Sequence, residues 1–279
     1  MSATTATQPL PSRIRRTPVA IRVILVVIVV IYALFAIASA GISLVDLAAR
    51  HEFTTHASYP DVRRLVVDNS TGDIHLIRAP AGAPVTLTAR VTEGLRTPHR
   101  SATRTAGGTL RLSASCADVP FGGAACDVGY TVAVPAGTGL TVHSSGGDVS
   151  VRDYVGRAPL AVSSSSGDVD VTGISVPVLR LESSAGDVIG EGIRARVVDA
   201  KSSAGDVELG LASPARRLAA ESSAGDVRLT VPDVSYRVKA SSSAGDVRDG
   251  GIRQDPHAPR RIDASSSAGD VTIAPPGGD

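Results

Sequence analysis

Three hydrophobic patterns follow one another along the chain. The first is an unbroken apolar run from Val23 to Val45, 23 residues without a charge. As a helix it would extend ~34 Å, enough to cross a ~30 Å hydrocarbon core. The second pattern is period-two alternation, in IHLI from Ile74, VTLTARV from Val85, LRLSAS from Leu110 and YTVAV from Tyr130. Such runs predict antiparallel strands joined by turns, covering one end of whatever follows. The third is a repeat. HSSGGDV starts at His143, SSSSGDV at Ser163, ESSAGDV at Glu182, KSSAGDV at Lys201, ESSAGDV at Glu221, and SSSAGDV at Ser241 and again at Ser265. A divergent copy, DNSTGDI, starts at Asp68.

The Gly-Asp pairs are Gly147-Asp148, Gly167-Asp168, Gly186-Asp187, Gly205-Asp206, Gly225-Asp226, Gly245-Asp246 and Gly269-Asp270, at intervals of 20, 19, 19, 20, 20 and 24 residues. A period near 20 marks a solenoid, and it is too short for a pair of helices. Each unit predicts strand, Gly-Asp corner, strand. The apolar residue before each motif (Val142, Val162, Leu181, Ala200, Ala220, Ala240, Ala264) shares a face with the first Ser of the pair. Those serines should therefore point inward and satisfy one another along the stack. The Gly is expected to supply positive φ, and the Asp to accept N–H groups of its own turn. The Val after each Asp returns to the interior. Glu182, Lys201 and Glu221 precede successive motifs, so in-register stacking sets opposite charges side by side. At the far end Pro275 and Pro276 cannot donate to a ladder and are expected to blunt the open edge.

The expected architecture is all-β: a cytoplasmic tail over 1–22, one transmembrane helix over 23–45, a linker over 46–61, a β-solenoid over 62–273 and a tail over 274–279. Arg13, Arg15, Arg16 and Arg22 precede the apolar run, which by the positive-inside rule keeps the N-terminus cytoplasmic and exports the rest. A cleaved signal ending near Ala38-Ser39-Ala40 is the alternative, and it exports the domain equally. Export places Cys116 and Cys126 in an oxidising compartment. With Pro120, Gly122 and Gly123 between them, they read as a structural disulfide.

Composition narrows the chemistry. A net charge of +1 gives no field for nucleic acid. Aromatics make up 3% with no Trp, so the core must be Val, Leu, Ile and Ala, and no stacking platform for bases or sugars is evident. No nucleophile elbow, phosphate loop, dinucleotide motif or CxxC occurs, and no cofactor is expected. His143 is the one His beside a Ser pair and reads as a solvated strand residue. A column of Asp187, Asp206, Asp226 and Asp246 could hold calcium through its oxygens, although the unit lacks the calcium-binding nonapeptide spacing.

The membrane helix, the VPAG turn at Val134–Gly137 and the serial SSxGDV units resemble the bacterial domain-of-unknown-function family DUF4097, whose members carry the name "putative adhesin". Relatives are described as toast-rack domains of envelope-stress operons. The resemblance covers roughly Val62 to Ile273, and SSxGDV is its most specific part. It implies an extracytoplasmic β-solenoid with an adhesive or envelope-sensing role and brings no catalytic residues. The functional expectation is a non-enzymatic interaction scaffold at the cell membrane, with an unknown protein or envelope partner and possible self-association. An envelope-stress sensor is the alternative, and a cation-dependent polysaccharide-active enzyme the outsider.

Overall fold

The computed structural model describes residues 24, 27–33, 35, 49–116 and 126–277. Of the apolar run, Ile24, residues 27–33 and Phe35 are helical, and the rest of 23–45, like 1–22, lies outside the described residues. Among the described residues no helix is long and apolar enough to cross a membrane.

Among the described residues, everything from His51 onward is strand, turn or loop. The strands are β1 His51–Tyr59, β2 Arg64–Asn69, β3 Ile74–Ala79, β4 Val85–Glu93, β5 His99–Arg104, β6 Thr109–Ser115 and β7 Cys126–Pro135. Then follow β8 Gly139–Ser144, β9 Val149–Arg152, β10 Leu160–Ser164, β11 Val169–Thr172, β12 Ser175–Ser183, β13 Val188–Ser202 and β14 Val207–Leu211. The chain ends with β15 Arg217–Ser222, β16 Val227–Thr230, β17 Arg237–Ser242, β18 Val247–Arg248, β19 Arg261–Ser266 and β20 Val271–Ala274. The stretch 46–61, expected as linker, thus contains β1, whose sequence HEFTTHASY is too polar to read as a buried strand.

Two sheets face each other. Sheet B receives the strand before each corner and sheet A the strand after it, so each unit is one coil. Sheet B runs β5, β6, β2, β8, β10, β12, β13, β15, β19, β17. Sheet A runs β1, β4, β7, β3, β9, β11, β13, β14, β16, β20, β18. Strand β13 belongs to both, bending at Gly190–Ile193 from one sheet into the other. Between the sheets lie columns of aliphatic side chains one coil apart, such as Leu65, Leu140, Leu160, Leu179, Val198, Leu218 and Ile262, all essentially inaccessible. In-register β-branched and Leu side chains fill most of this interior, and among the described residues the buried aromatics are Tyr130, Tyr154 and Tyr236.

The structure corrects two expectations. Of the four alternating segments before the repeat, only VTLTARV (β4) pairs purely antiparallel. IHLI (β3) lies in parallel register between β7 and β9, and β6 and β7 form a coil of their own. Coils also do not stack wholly in chain order. Coil β2–β3 sits inside β6–β7, and coil β19–β20 inserts between β15–β16 and β17–β18. The last coil in sequence is therefore second from the edge. Pro275 and Pro276 do not blunt that edge, which belongs to β17 and β18. The 24-residue interval before the final motif supplies the loop, Asp249–Arg260, that makes the exchange possible.

Candidate functional site

The repeated corners form one continuous edge of the stack, and its geometry explains each motif residue. The first Ser is buried as expected in six of the seven pairs, from 5% exposed at Ser144 to 0% at Ser202, while Ser242 in the end coil is half-buried. Its hydroxyl does not bond to the next hydroxyl. Instead it accepts the N–H of the Gly three residues on, at 2.9 Å in Ser164, Ser183 and Ser202. It then donates to the Gly carbonyl of the preceding coil: Ser183 to Gly167 O at 3.0 Å, Ser202 to Gly186 O and Ser222 to Gly205 O at 2.8 Å. A hydroxyl can donate and accept at once, which is why this buried position suits Ser.

The Asp side chains do not fold back onto their own turns. Each carboxylate Oδ1 accepts the backbone N–H of the Asp in the next coil. The chain of bonds runs Asp73, Asp148, Asp168, Asp187, Asp206, Asp226, Asp270, Asp246, at 2.8–2.9 Å throughout. The local reading failed because the turn's own amides are already engaged by the Ser hydroxyl, leaving the Asp N–H to the neighbour below. Positive φ is likewise not the general reason for Gly. It occurs at Gly147 (91°) and in the divergent copy at Gly72 (84°), not at the later corners. There the coils approach too closely for a side chain: a Cβ at Gly186 would lie 2.5 Å from Gly167 O.

Stacked carboxylates repel, and arginines two residues downstream relieve this. Arg228 reaches the outer oxygens of Asp206 (3.4 Å) and Asp226 (2.6 Å). Arg248 reaches those of Asp246 and Asp270, both at 2.9 Å. The Asp270 carboxyl is held below the ordinary range, first by the Asp246 N–H and then by Arg248. The cation column read from sequence is therefore broken: Asp270 separates Asp226 from Asp246, and guanidinium groups occupy the outer oxygens of three of its four members. Among the described residues no group of three or more His, Cys, Asp or Glu is placed to hold a metal ion. The GDVR sequences at Gly225–Arg228 and Gly245–Arg248 carried this signal.

In the outermost coil, β6–β7, a disulfide between Cys116 and Cys126 takes the place of the SSxGD corner, closing the segment between the two strands. Pro120, Gly122 and Gly123 lie outside the described residues. Asn69 holds the Ser position in the next coil and donates to Gly72 O (2.9 Å) and Val128 O (2.8 Å). In-register pairing of Glu182, Lys201 and Glu221 is found, with Lys201 3.5 Å from Glu221. His143 lies exposed on sheet B, its Nδ1 2.6 Å from Ser163 Oγ, a hydroxyl outside the buried column.

At the opposite corner a cleft of about 760 Å³ is lined by Asp61, Arg63, Pro135, Thr138 and Arg157 among others. Beneath it the buried Tyr154 hydroxyl donates to Thr138 O, and burial pushes it up to about 12, out of reach of proton transfer at neutral pH. No nucleophile–base pair and no second carboxylate line this cleft.

The structure of a "putative adhesin" from Bacteroides fragilis is similar to this chain at 18% identity, covering 81% of this chain and 97% of that one, with a TM-score of 0.52. It shows a shared fold. A "putative adhesin" from Parabacteroides distasonis (11% identity, 80% and 97% covered, TM-score 0.41) and a "putative lipid binding protein" from the same species (12%, 79% and 96%, TM-score 0.38) are more distant and carry no argument. No curated protein matches the sequence. The family model of Toastrack DUF4097 matches residues 132–274, just over half of the chain and all seven SSxGDV-type corners. The chain belongs to the Toastrack DUF4097 family.

Proposed function

We propose that this protein is a non-enzymatic interaction scaffold, displayed outside the cytoplasm and held at the cell membrane by the apolar segment 23–45, with 1–22 inside. The observation that carries this reading is the fate of the reactive-looking side chains. The Ser hydroxyls and the inner Asp oxygens are committed to bonds between coils, so what the domain offers a partner is its two flat, mixed-charge sheet faces. The Cys116–Cys126 disulfide suits an oxidising compartment. Adhesion to an envelope partner is the leading use.

Protease treatment of spheroplasts tests the placement. The β-domain should be digested or released from outside while the first 22 residues stay protected, and protection of the β-domain would overturn it. Pull-down from envelope extract tests the scaffold role, and hydrolysis of envelope glycans by the purified chain would refute the non-enzymatic assignment.

Signalling is favoured by one feature: β1 begins at His51, so only 46–50 separate the apolar segment from the first strand. Strain on the domain would then reach the helix directly. Deleting Met1–Pro18 distinguishes the two readings, since an envelope-stress response should fail while adhesion persists.

A further inference from the structure

Cation distribution on sheet B is uneven. Parallel register stacks Arg217 on Arg261 and Arg261 on Arg237, three guanidinium-bearing residues one strand spacing apart at the beginning of β15, β19 and β17. All three are exposed, and Lys239 lies two residues further along the outermost strand. The acids on this patch are already engaged, Asp263 by Arg261 at 2.6 Å and Glu221 by Lys201. No carboxylate among the described residues lies within ion-pair distance of Arg217, Arg237 or Lys239. Like charges directly opposite on neighbouring strands repel, and a bound anion would relieve that repulsion. Arg217, Arg261 and Lys239, with Asp263, Ala264 and the Ser241 and Ser265 hydroxyls, line a groove of about 370 Å³ on this face, in which the Asp263 carboxylate is neutralised by Arg261.

We propose that this groove binds a linear polysaccharide carrying a carboxylate on successive sugars, laid along the stack axis. With Arg261 paired to Asp263, the guanidinium groups of Arg217 and Arg237 stand two strand spacings, ~9.6 Å, apart, close to the length of two pyranose units, and planar guanidinium groups bind carboxylates in bidentate fashion. The serines supply donors and acceptors for sugar hydroxyls. No large apolar side chain is exposed on this patch to enter a bilayer, and no aromatic ring is present to stack bases. This inference rests on the scaffold reading and names its partner class.

The test measures binding of the full chain, in neutral detergent, to polygalacturonate, its methyl ester, polyphosphate and phosphatidylglycerol vesicles. Polygalacturonate should bind with an affinity that falls as salt rises, and the ester should not. Arg217→Ser with Arg237→Ser should weaken binding by about tenfold or more, as expected for losing two charge-assisted pairs. Arg78→Ser, on the other sheet, should leave binding unchanged. Equal binding of the ester, preference for polyphosphate or vesicles, or indifference to the double substitution each overturns the proposal. A negative result beside a specific protein captured from envelope extract would sink the glycan site and leave the scaffold role standing. Protection of the domain in spheroplasts would sink the placement and leave the binding result untouched.

Discussion

The two ends of the stack solve the same problem differently. A parallel coil left bare invites another chain to pair with it. At the N-terminal end sheet A continues into β4 and β1 and sheet B into β5, all antiparallel additions. Arg100 and Arg104 alternate with residues of β5 that face away from the sandwich, so both point inward at its mouth. Arg100 lies 5.4 Å over the Phe53 ring and donates to Thr55 at 3.2 Å. Inward charges of this kind forbid a further apolar layer. The C-terminal end has no such cover. Strand β17 leaves Val238 and Ala240 half-buried, and Val247 on β18 is 41% exposed. Its protection is a two-residue edge strand and outward Arg237 and Lys239. One end is terminated by structure and the other only by charge and brevity. Both ends share one device: a coil is placed out of chain order, β2–β3 inside β6–β7 and β19–β20 inside β17–β18, so neither of these coils can peel away alone.

The comparison breaks hardest at the glycines. A central corner is held between two coils, while the end corner has a free side. Gly205→Ala drives a Cβ into Gly186 backbone and should cost about 3 kcal/mol or more, because neither neighbour can retreat. Gly245→Ala meets Gly269 in the same way, but the end coil can shift outward, and about 1 kcal/mol is expected. Urea midpoints of the two variants decide this. Equal losses would mean that the end coil is as constrained as the middle.

Serine substitutions repeat the contrast more gently. Ser202→Ala leaves both Gly205 N–H and Gly186 O without a partner in a dry interior, a loss of about 2–3 kcal/mol. Ser242→Ala, half-exposed on the end coil, should lose about 0.5–1 kcal/mol, since water reaches the vacated groups. At the other end, replacing both cysteines with Ser should lower stability by about 2.7 kcal/mol, the chain-entropy value for so short a loop. Hydrogen exchange should then rise first in β6 and β7 and leave β17 unchanged. A uniform rise would show that the disulfide steadies the whole stack rather than its end.

How much of this was legible follows from which interactions are periodic. The inward Ser, the Val after each Asp, buried in every coil but the end one, and the Glu182–Lys201–Glu221 register are consequences of period two and period 20, and a single sequence displays both periods. The coil exchange at either end is not periodic. Nothing in LRLSAS distinguishes an antiparallel cover strand from a coil strand, because both alternate identically. The Asp ladder is hidden in the sequence for a related reason. A turn-forming Asp has local and cross-coil amides equally near in composition, and only the prior claim of the Ser hydroxyl on the local one decides between them. Arg228 and Arg248 stand in the sequence as GDVR, but only the stacking of the coils brings each guanidinium between two carboxylates.

The smallest effect is also the one that opposes the two ends in sign. Asp270, in the C-terminal corner, has its carboxyl held below the ordinary carboxylate value of 3.8 by the Asp246 N–H and by Arg248. A depressed native value means stabilisation that is present above the unfolded-state pKa and lost as pH falls through the native one. Asp127, next to the disulfide at the N-terminal end, has its carboxyl raised, first by desolvation and then by Asp73. Its folded form holds the proton more tightly than the unfolded form, so this end gains stability as pH falls toward the ordinary carboxylate value. Acid should therefore loosen β17–β18 while steadying the corner at Asp127, readable as opposite trends in amide exchange between pH 6 and pH 3. Asp270→Asn keeps an oxygen for the Asp246 N–H and removes the charge, so it should flatten the C-terminal trend alone. Asp127→Asn should flatten the other. Parallel trends at the two ends would show that acid acts through the stack as a whole, and that the corners are not independent terminators.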